Sequence, residues 1–124
     1  MKSDPKECLY CQNNETLHNL MIEIAQLSVS RVFLFKEQTY RGRCLVAYKD
    51  HANDLNELSD EDRNAFMADV TRVTRAMQKA FQPEKINYGA YSDKLSHLHF
   101  HLAPKYVDGP DYGGIFQMLS LIHI

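Results

Sequence analysis

An antiparallel α+β domain is predicted from three features of this sequence. Short apolar runs of strand length flank one long helical stripe, the stripe carries clear start and stop signals, and turn residues mark the joints. The chain has 124 residues, enough for one domain to bury a core without staples. No internal repeat, low-complexity stretch or linker interrupts it.

Residues 1–14 read as an irregular arm. From Glu15 to Leu27, apolar residues at Leu17, Leu20, Met21, Ile24 and Leu27 fall at helical spacing, which predicts a short, weakly capped helix. Arg31–Glu37 is rich in Val, Leu and Phe and predicts a strand. Tyr40-Arg41-Gly42-Arg43 predicts a turn, and Cys44–Tyr48 the second strand of a hairpin. Ser59 opens the clearest helix, with Asp62 three residues on as a capping-box variant and Asp60, Glu61 and Asp62 crowding the first turn. Phe66, Val70, Val73, Met77 and Phe81 then form a core stripe that Pro83 ends. Lys85–Tyr91 and Leu95–Lys105 predict two further strands, and Gly109–Gly114 is loop chemistry.

Composition excludes several classes. The net charge is −2 with acids and bases interspersed, so there is neither a broad basic footprint for a nucleic-acid polymer nor a polybasic membrane segment. No apolar run approaches the ~20 residues that cross a bilayer. Met1–Tyr10 is charged, contains Pro5 and lacks the apolar core of a signal peptide, so a cytoplasmic location is the expectation. Three cysteines do not make a secreted disulfide scaffold. Cys44 lies in an apolar run and reads as core. Cys8 and Cys11 form a C-x2-C pair, a common zinc half-site because two thiolates from one turn reach one ion; the plainer alternative is two thiols on a loose arm.

Ser96-His97-Leu98-His99-Phe100-His101-Leu102 carries the chemistry. With a strand period of two, His97, His99 and His101 share one face, at a spacing of roughly 7 Å, and Leu98, Phe100 and Leu102 face the core. Clustered imidazoles serve either metal binding or nucleophilic and acid–base chemistry near neutral pH. At a face open to substrate, such rings are expected to add little to packing.

This pattern, H-φ-H-φ-H-φ-φ with φ apolar, matches His97–Ala103 and resembles the signature of the histidine triad family. Tyr48–Ser59, where a strand ends in a basic residue and a histidine before the long helix, is similar to the family as well. The resemblance covers about residues 8–106. It implies a five-stranded antiparallel sheet with two helices, and a homodimer with a continuous sheet. It also implies a small-molecule nucleotide substrate cleaved at the α-phosphorus, such as a dinucleoside polyphosphate, a nucleoside phosphoramidate or a nucleotide sugar. The leading expectation is a nucleotide hydrolase, for instance of diadenosine polyphosphates. The alternatives are a nucleotidyltransferase acting on a nucleotide sugar and a non-catalytic nucleotide-binding protein.

By the same resemblance His99 is the nucleophile, forming a nucleotidyl-histidine, and His101 stabilises charge on the phosphate oxygens. Asn87 stands where the family often has an asparagine near the nucleotide, although a plain strand-end polar residue explains it equally well. Lys105 follows a proline as basic residues often do in the family; it is a candidate phosphate contact, with a solvated surface lysine as the simpler expectation. Relatives with zinc, and the similar galactose-1-phosphate uridylyltransferases, use the histidine after the second strand and the first triad histidine. That implies a structural zinc held by Cys8, Cys11, His51 and His97, closed to substrate.

Two departures stand out. Many members carry Gly-His at the start of the second strand, where this chain has Gly42-Arg43, and Arg43 is a candidate phosphate contact in its place. Many also carry Gly-Gln-Ser or Gly-Gln-Thr before the triad, where Ser92-Asp93-Lys94 stands here. The last six residues, Leu119-Ser120-Leu121-Ile122-His123-Ile124, can be read from CTG TCT CTT ATA CAC ATC, which resembles a transposon end used in preparing sequencing libraries. A non-native tail over 119–124 and a truncated C-terminus are therefore expected, with a real short apolar strand as the alternative.

Overall fold

The computed structural model describes residue 11, residues 15–91 and residues 96–117. Cys8, the Ser92-Asp93-Lys94 stretch and the hexapeptide 119–124 lie outside the described residues. The elements are α1 (Glu15–Leu20), β1 (Met21–Gln26), β2 (Ser30–Phe35), β3 (Cys44–Tyr48), a 3-10 turn at Leu55–Glu57, α2 (Asp60–Phe81), β4 (Lys85–Gly89) and β5 (His99–Lys105). The strands form one antiparallel sheet in the order β1-β2-β3-β5-β4. β5 thus lies at the interior of the sheet, between β3 and β4, with His101 paired on both sides and His99 paired to β3.

The helix expected over 15–27 is corrected to a single turn and a half followed by a strand. Leu17, Leu20, Met21 and Ile24 keep helical spacing while Ile22 and Ile24 alternate as in a strand, and neither caps nor length favour continuing the helix. Met21–Gln26 gains a full ladder against Arg31–Phe35, with a bulge between Glu23 and Ala25. Arg31 closes the pair by donating from Nε and Nη2 to the Glu23 carboxylate, at 3.1 Å each.

α2 forms as its sequence dictates. The Ser59 Oγ accepts from the Asp62 N–H at 3.1 Å, and Gln82, left-handed at φ 52°, closes the far end through its N–H to the Gln78 carbonyl. Phe66, Val70, Val73 and Met77 pack on Val32, Cys44, Val46, Leu98 and Leu102. Leu98 and Leu102 therefore face the core as the alternation predicts. Asp69 is a buried exception on this stripe. Its carboxylate accepts from the Ser28 Oγ (2.9 Å), the Val29 N–H (2.9 Å) and the Ser30 Oγ (2.8 Å), pinning the β1–β2 turn to the helix. Burial pushes the Cys44 thiol up to about 11, as befits a core cysteine.

The opposite sheet face carries two separate apolar clusters. Leu17, Leu20 and Met21 close over Phe33, Phe35, Leu45 and Ala47 at one end. Tyr40, Ala103 and Phe116 pack together at the other. The register puts Ala47 beside His99, and both Leu45 and Gly89 beside His101. The histidines of β5 thus sit between these two clusters.

Candidate functional site

β5 begins at His99, not at residue 95, so His97 precedes the strand that was expected to contain it. Leu98 anchors this entry, donating its N–H to the Ala52 carbonyl and accepting from the Tyr48 N–H. The three imidazoles then divide into two groups. The rings of His99 and His101 lie 5.1 Å apart, whereas the His97 ring lies 5.4 Å from that of His51.

His99 is 3% exposed, which corrects the expectation of an imidazole that adds little to packing. Its Nδ1–H donates to the His97 carbonyl at 2.6 Å. That bond selects the tautomer and leaves Nε2 as the lone-pair nitrogen. Burial pushes the His99 pKa down, against the opposing pull of the His97 carbonyl, so a neutral ring is favoured. His101 is pushed down to about 2, by burial first and then by His99 and Arg43.

Arg43 is wholly buried. Its guanidinium lies 4.5 Å from the Phe35 ring centre and 5.3 Å from that of Phe116. Nη2 donates to His101 Nδ1 at 3.0 Å and Nη1 to the Gln117 carbonyl at 3.3 Å. The arginine therefore sits behind His101 instead of projecting into solvent. Phe116 reaches this position because Gly89 lacks a Cβ; one built there would stand 2.8 Å from the Phe116 ring. Neither Gly89 nor Phe116 was singled out in the sequence, although a glycine inside a strand is a recognised sign of close approach.

Lys105 corrects the simpler expectation of a solvated side chain, being 2% exposed. Its ammonium donates to the carbonyls of Asp111 and Gly114, so it clamps the loop after β5 from beneath. Tyr40 ties the same loop down, donating to the Asp111 carboxylate and accepting from the Gln117 N–H. Asn87 is half-buried and pairs with Ala103 on β5, on the face that carries His101.

A second cluster adjoins the first. The Cys11 Sγ lies 3.3 Å from His51 Nδ1 and 3.5 Å from His97 Nδ1, and the three ligand atoms fall within 4.8 Å of one another. His97 Nε2–H donates to the Tyr48 carbonyl at 2.6 Å, which turns the lone pair of Nδ1 towards the cysteine. A ring nitrogen fixed by a backbone carbonyl while its other nitrogen faces a thiol is the arrangement of a metal-ligating histidine. Burial pushes the His97 pKa down to about 4, opposed by the bond to Tyr48, and so keeps that lone pair available at neutral pH. One sulfur and two imidazoles suit zinc by ligand type, and these three residues bring three candidate ligand atoms within reach of one ion. Of the four ligands expected from the sequence, Cys8 lies outside the described residues.

A family model described as HIT domain matches residues 14–108. Adenosine 5'-monophosphoramidase of Schizosaccharomyces pombe is 33% identical over 89 residues, covering 68% of this chain and 64% of that protein. Protein hit of Bacillus subtilis is 27% identical over 90 residues, covering 68% of this chain and 62% of its own length. The chain thus spans less than two thirds of the length of these curated relatives. Among solved structures, a histidine triad protein from Sinorhizobium meliloti superposes with a TM-score of 0.77 at 21% identity, covering 86% of this chain and 79% of that one. A Zn-bound histidine triad family protein from Mycobacterium smegmatis gives 0.67 at 20% identity, covering 85% and 79%. These structures share the five-stranded α+β fold expected from the sequence.

Proposed function

The chain belongs to the HIT domain family, and on that premise we propose that it is a nucleotide hydrolase working through a nucleotidyl-His99 intermediate. The observation that carries this reading is the 2.6 Å bond from His99 Nδ1–H to the His97 carbonyl, which leaves on Nε2 the lone pair that a nucleophile needs. Nε2 attacks the α-phosphorus, the bond from phosphorus to the leaving group breaks, and the departing amine or phosphate takes up a proton from solvent, which the attacking water returns in the second step. The ring then carries a positive charge, and the His97 carbonyl, already accepting from Nδ1–H, stabilises it. His101 donates from Nε2–H to a phosphoryl oxygen. Water next attacks phosphorus, releases the nucleoside monophosphate and restores His99.

Asn87 is proposed to face the nucleotide. The charges of Arg43 and Lys105, proposed from the sequence as phosphate contacts, favour the phosphate from behind the face. A structural zinc held by Cys11, His51, His97 and Cys8 is part of the same proposal. When bound it supplies a rigid clamp, not a Lewis acid. The Zn-bound relative supports the metal's identity. A homodimer with a continuous sheet is proposed too, since among the described residues β1 and β4 are edge strands with one strand neighbour each; sedimentation at the monomer mass of 14.4 kDa would contradict it.

An adenosine 5'-phosphoramidate is the first candidate substrate, because curated relatives in two yeasts are named as adenosine monophosphoramidases. The deciding experiment is a substrate panel containing this compound, a diadenosine polyphosphate and a nucleotide sugar, each with and without added phosphate. The expected result is hydrolysis of the phosphoramidate with the highest kcat/KM and no dependence on phosphate. Turnover of the nucleotide sugar alone, and only with phosphate present, indicates a transferase. Nucleotide binding without turnover of any compound indicates a binding protein.

A further inference from the structure

We propose that Arg43 is a positioning residue that locks His101 as a neutral hydrogen-bond donor, with Nδ1 turned to the guanidinium and Nε2–H presented to the substrate's phosphate. The inference deepens the hydrolase reading and rests on it for the identity of the phosphate. A guanidinium has only N–H donors and keeps its charge at any working pH. At 3.0 Å from Arg43 Nη2, His101 Nδ1 must therefore be the acceptor, and its proton must reside on Nε2.

The burial around this pair makes the lock stiff. Phe35 and Phe116 hold the guanidinium between them, and the Gln117 carbonyl accepts from its second amino group. The same two rings pack on His101, with centroids 6.4 Å and 6.3 Å away. The segments packed on the ring present Arg43 from just before β3, Phe35 from β2, Gly89 from β4, Phe116 from the C-terminal segment and His99 from β5 itself. No carboxylate is among these residues to draw a proton onto the ring. Burial, His99 and Arg43 together push the His101 pKa down to about 2. The positive charge that favours the phosphate thus stands permanently on Arg43, one ring away, and does not depend on protonating a histidine. A histidine at position 43 would offer either a donor or an acceptor to His101 and would titrate; arginine removes both freedoms.

The test uses the full chain with ¹⁵N-labelled histidine. In the wild type the His101 ring is expected to show the Nε2–H tautomer alone, unchanged from about pH 5 to about pH 8. Arg43→Met keeps the length and apolar packing of the side chain while removing donor and charge. In this variant the His101 ring is expected to show mixed tautomers and to titrate within that window. With the phosphoramidate, kcat is expected to fall about tenfold or more, KM to change by less than that, and kcat to gain a new pH dependence. Arg43→Lys, which keeps a donor and a charge, is expected to recover most of the tautomer selection. A wild-type His101 that carries its proton on Nδ1, or that is doubly protonated at neutral pH, overturns the proposal. So does an Arg43→Met protein whose His101 tautomer and titration match the wild type. A locked Nε2–H tautomer in a protein that turns over no nucleotide leaves this inference standing and rejects the hydrolase reading instead.

Discussion

His99→Ala is expected to lower kcat for the phosphoramidate by on the order of 10³-fold or more, because the covalent route needs the lone pair on Nε2 and no neighbouring ring is set to supply it. His101 has its Nδ1 on Arg43 and its proton on Nε2, and His97 points its lone pair at Cys11. The variant should still fold. Removing a buried imidazole leaves a small cavity and the His97 carbonyl without its donor, which together cost about 1–3 kcal/mol. Circular dichroism and thermal melting check the fold, and steady-state kinetics check the loss. A well-folded variant that keeps most of the wild-type rate would remove His99 from the mechanism.

Loss of the metal is the second large effect. Protein prepared with zinc is expected to contain it in near-stoichiometric amount, and Cys11→Ser to contain almost none. Zinc binds the folded arrangement and not the open chain, so it stabilises by linkage, about 3 kcal/mol when present at about 100 times its Kd. For a chain of this length that corresponds to a Tm lower by about 10 °C on chelation. His97 joins the two clusters: its ring faces Cys11 while its carbonyl sets the His99 tautomer. Stripping zinc should therefore also slow turnover, with re-addition of zinc restoring both properties. Wild-type protein that is metal-free as purified, with a Tm unmoved by zinc, would contradict the site.

The parts of this molecule that one period could specify were legible in the sequence. The stripe from Phe66 to Met77 has a single helical reading, and Ser59 and Pro83 bound it. The alternation from His97 to Leu102 assigns its apolar residues to the core without ambiguity. Met21–Gln26 was not legible, because its apolar spacing fits helix and strand alike and only the pairing partner on β2 decides. The burial of Arg43 and Lys105 was hidden for a different reason. A charged residue reads as exposed until its partners are known, and these partners come from β5 and the segment at 111–117. Asp69 escaped notice in the same way, since its three donors lie about forty residues away, in the β1–β2 turn. The clustering of histidines on one short segment was thus readable in the sequence, while the buried shell around them emerged only with the tertiary structure.

The most direct test of the central claim is to trap the covalent intermediate. Wild-type enzyme is mixed with adenosine 5'-phosphoramidate in a single-turnover experiment, quenched in alkali to preserve the phosphorus–nitrogen bond, digested, and mapped by mass spectrometry. The account predicts a peptide that carries an adenylyl group on His99, forms before the product, disappears on acid treatment and is absent from His99→Ala. Product formation at the full single-turnover rate with no adduct on His99, or with the adduct on another residue, would contradict it.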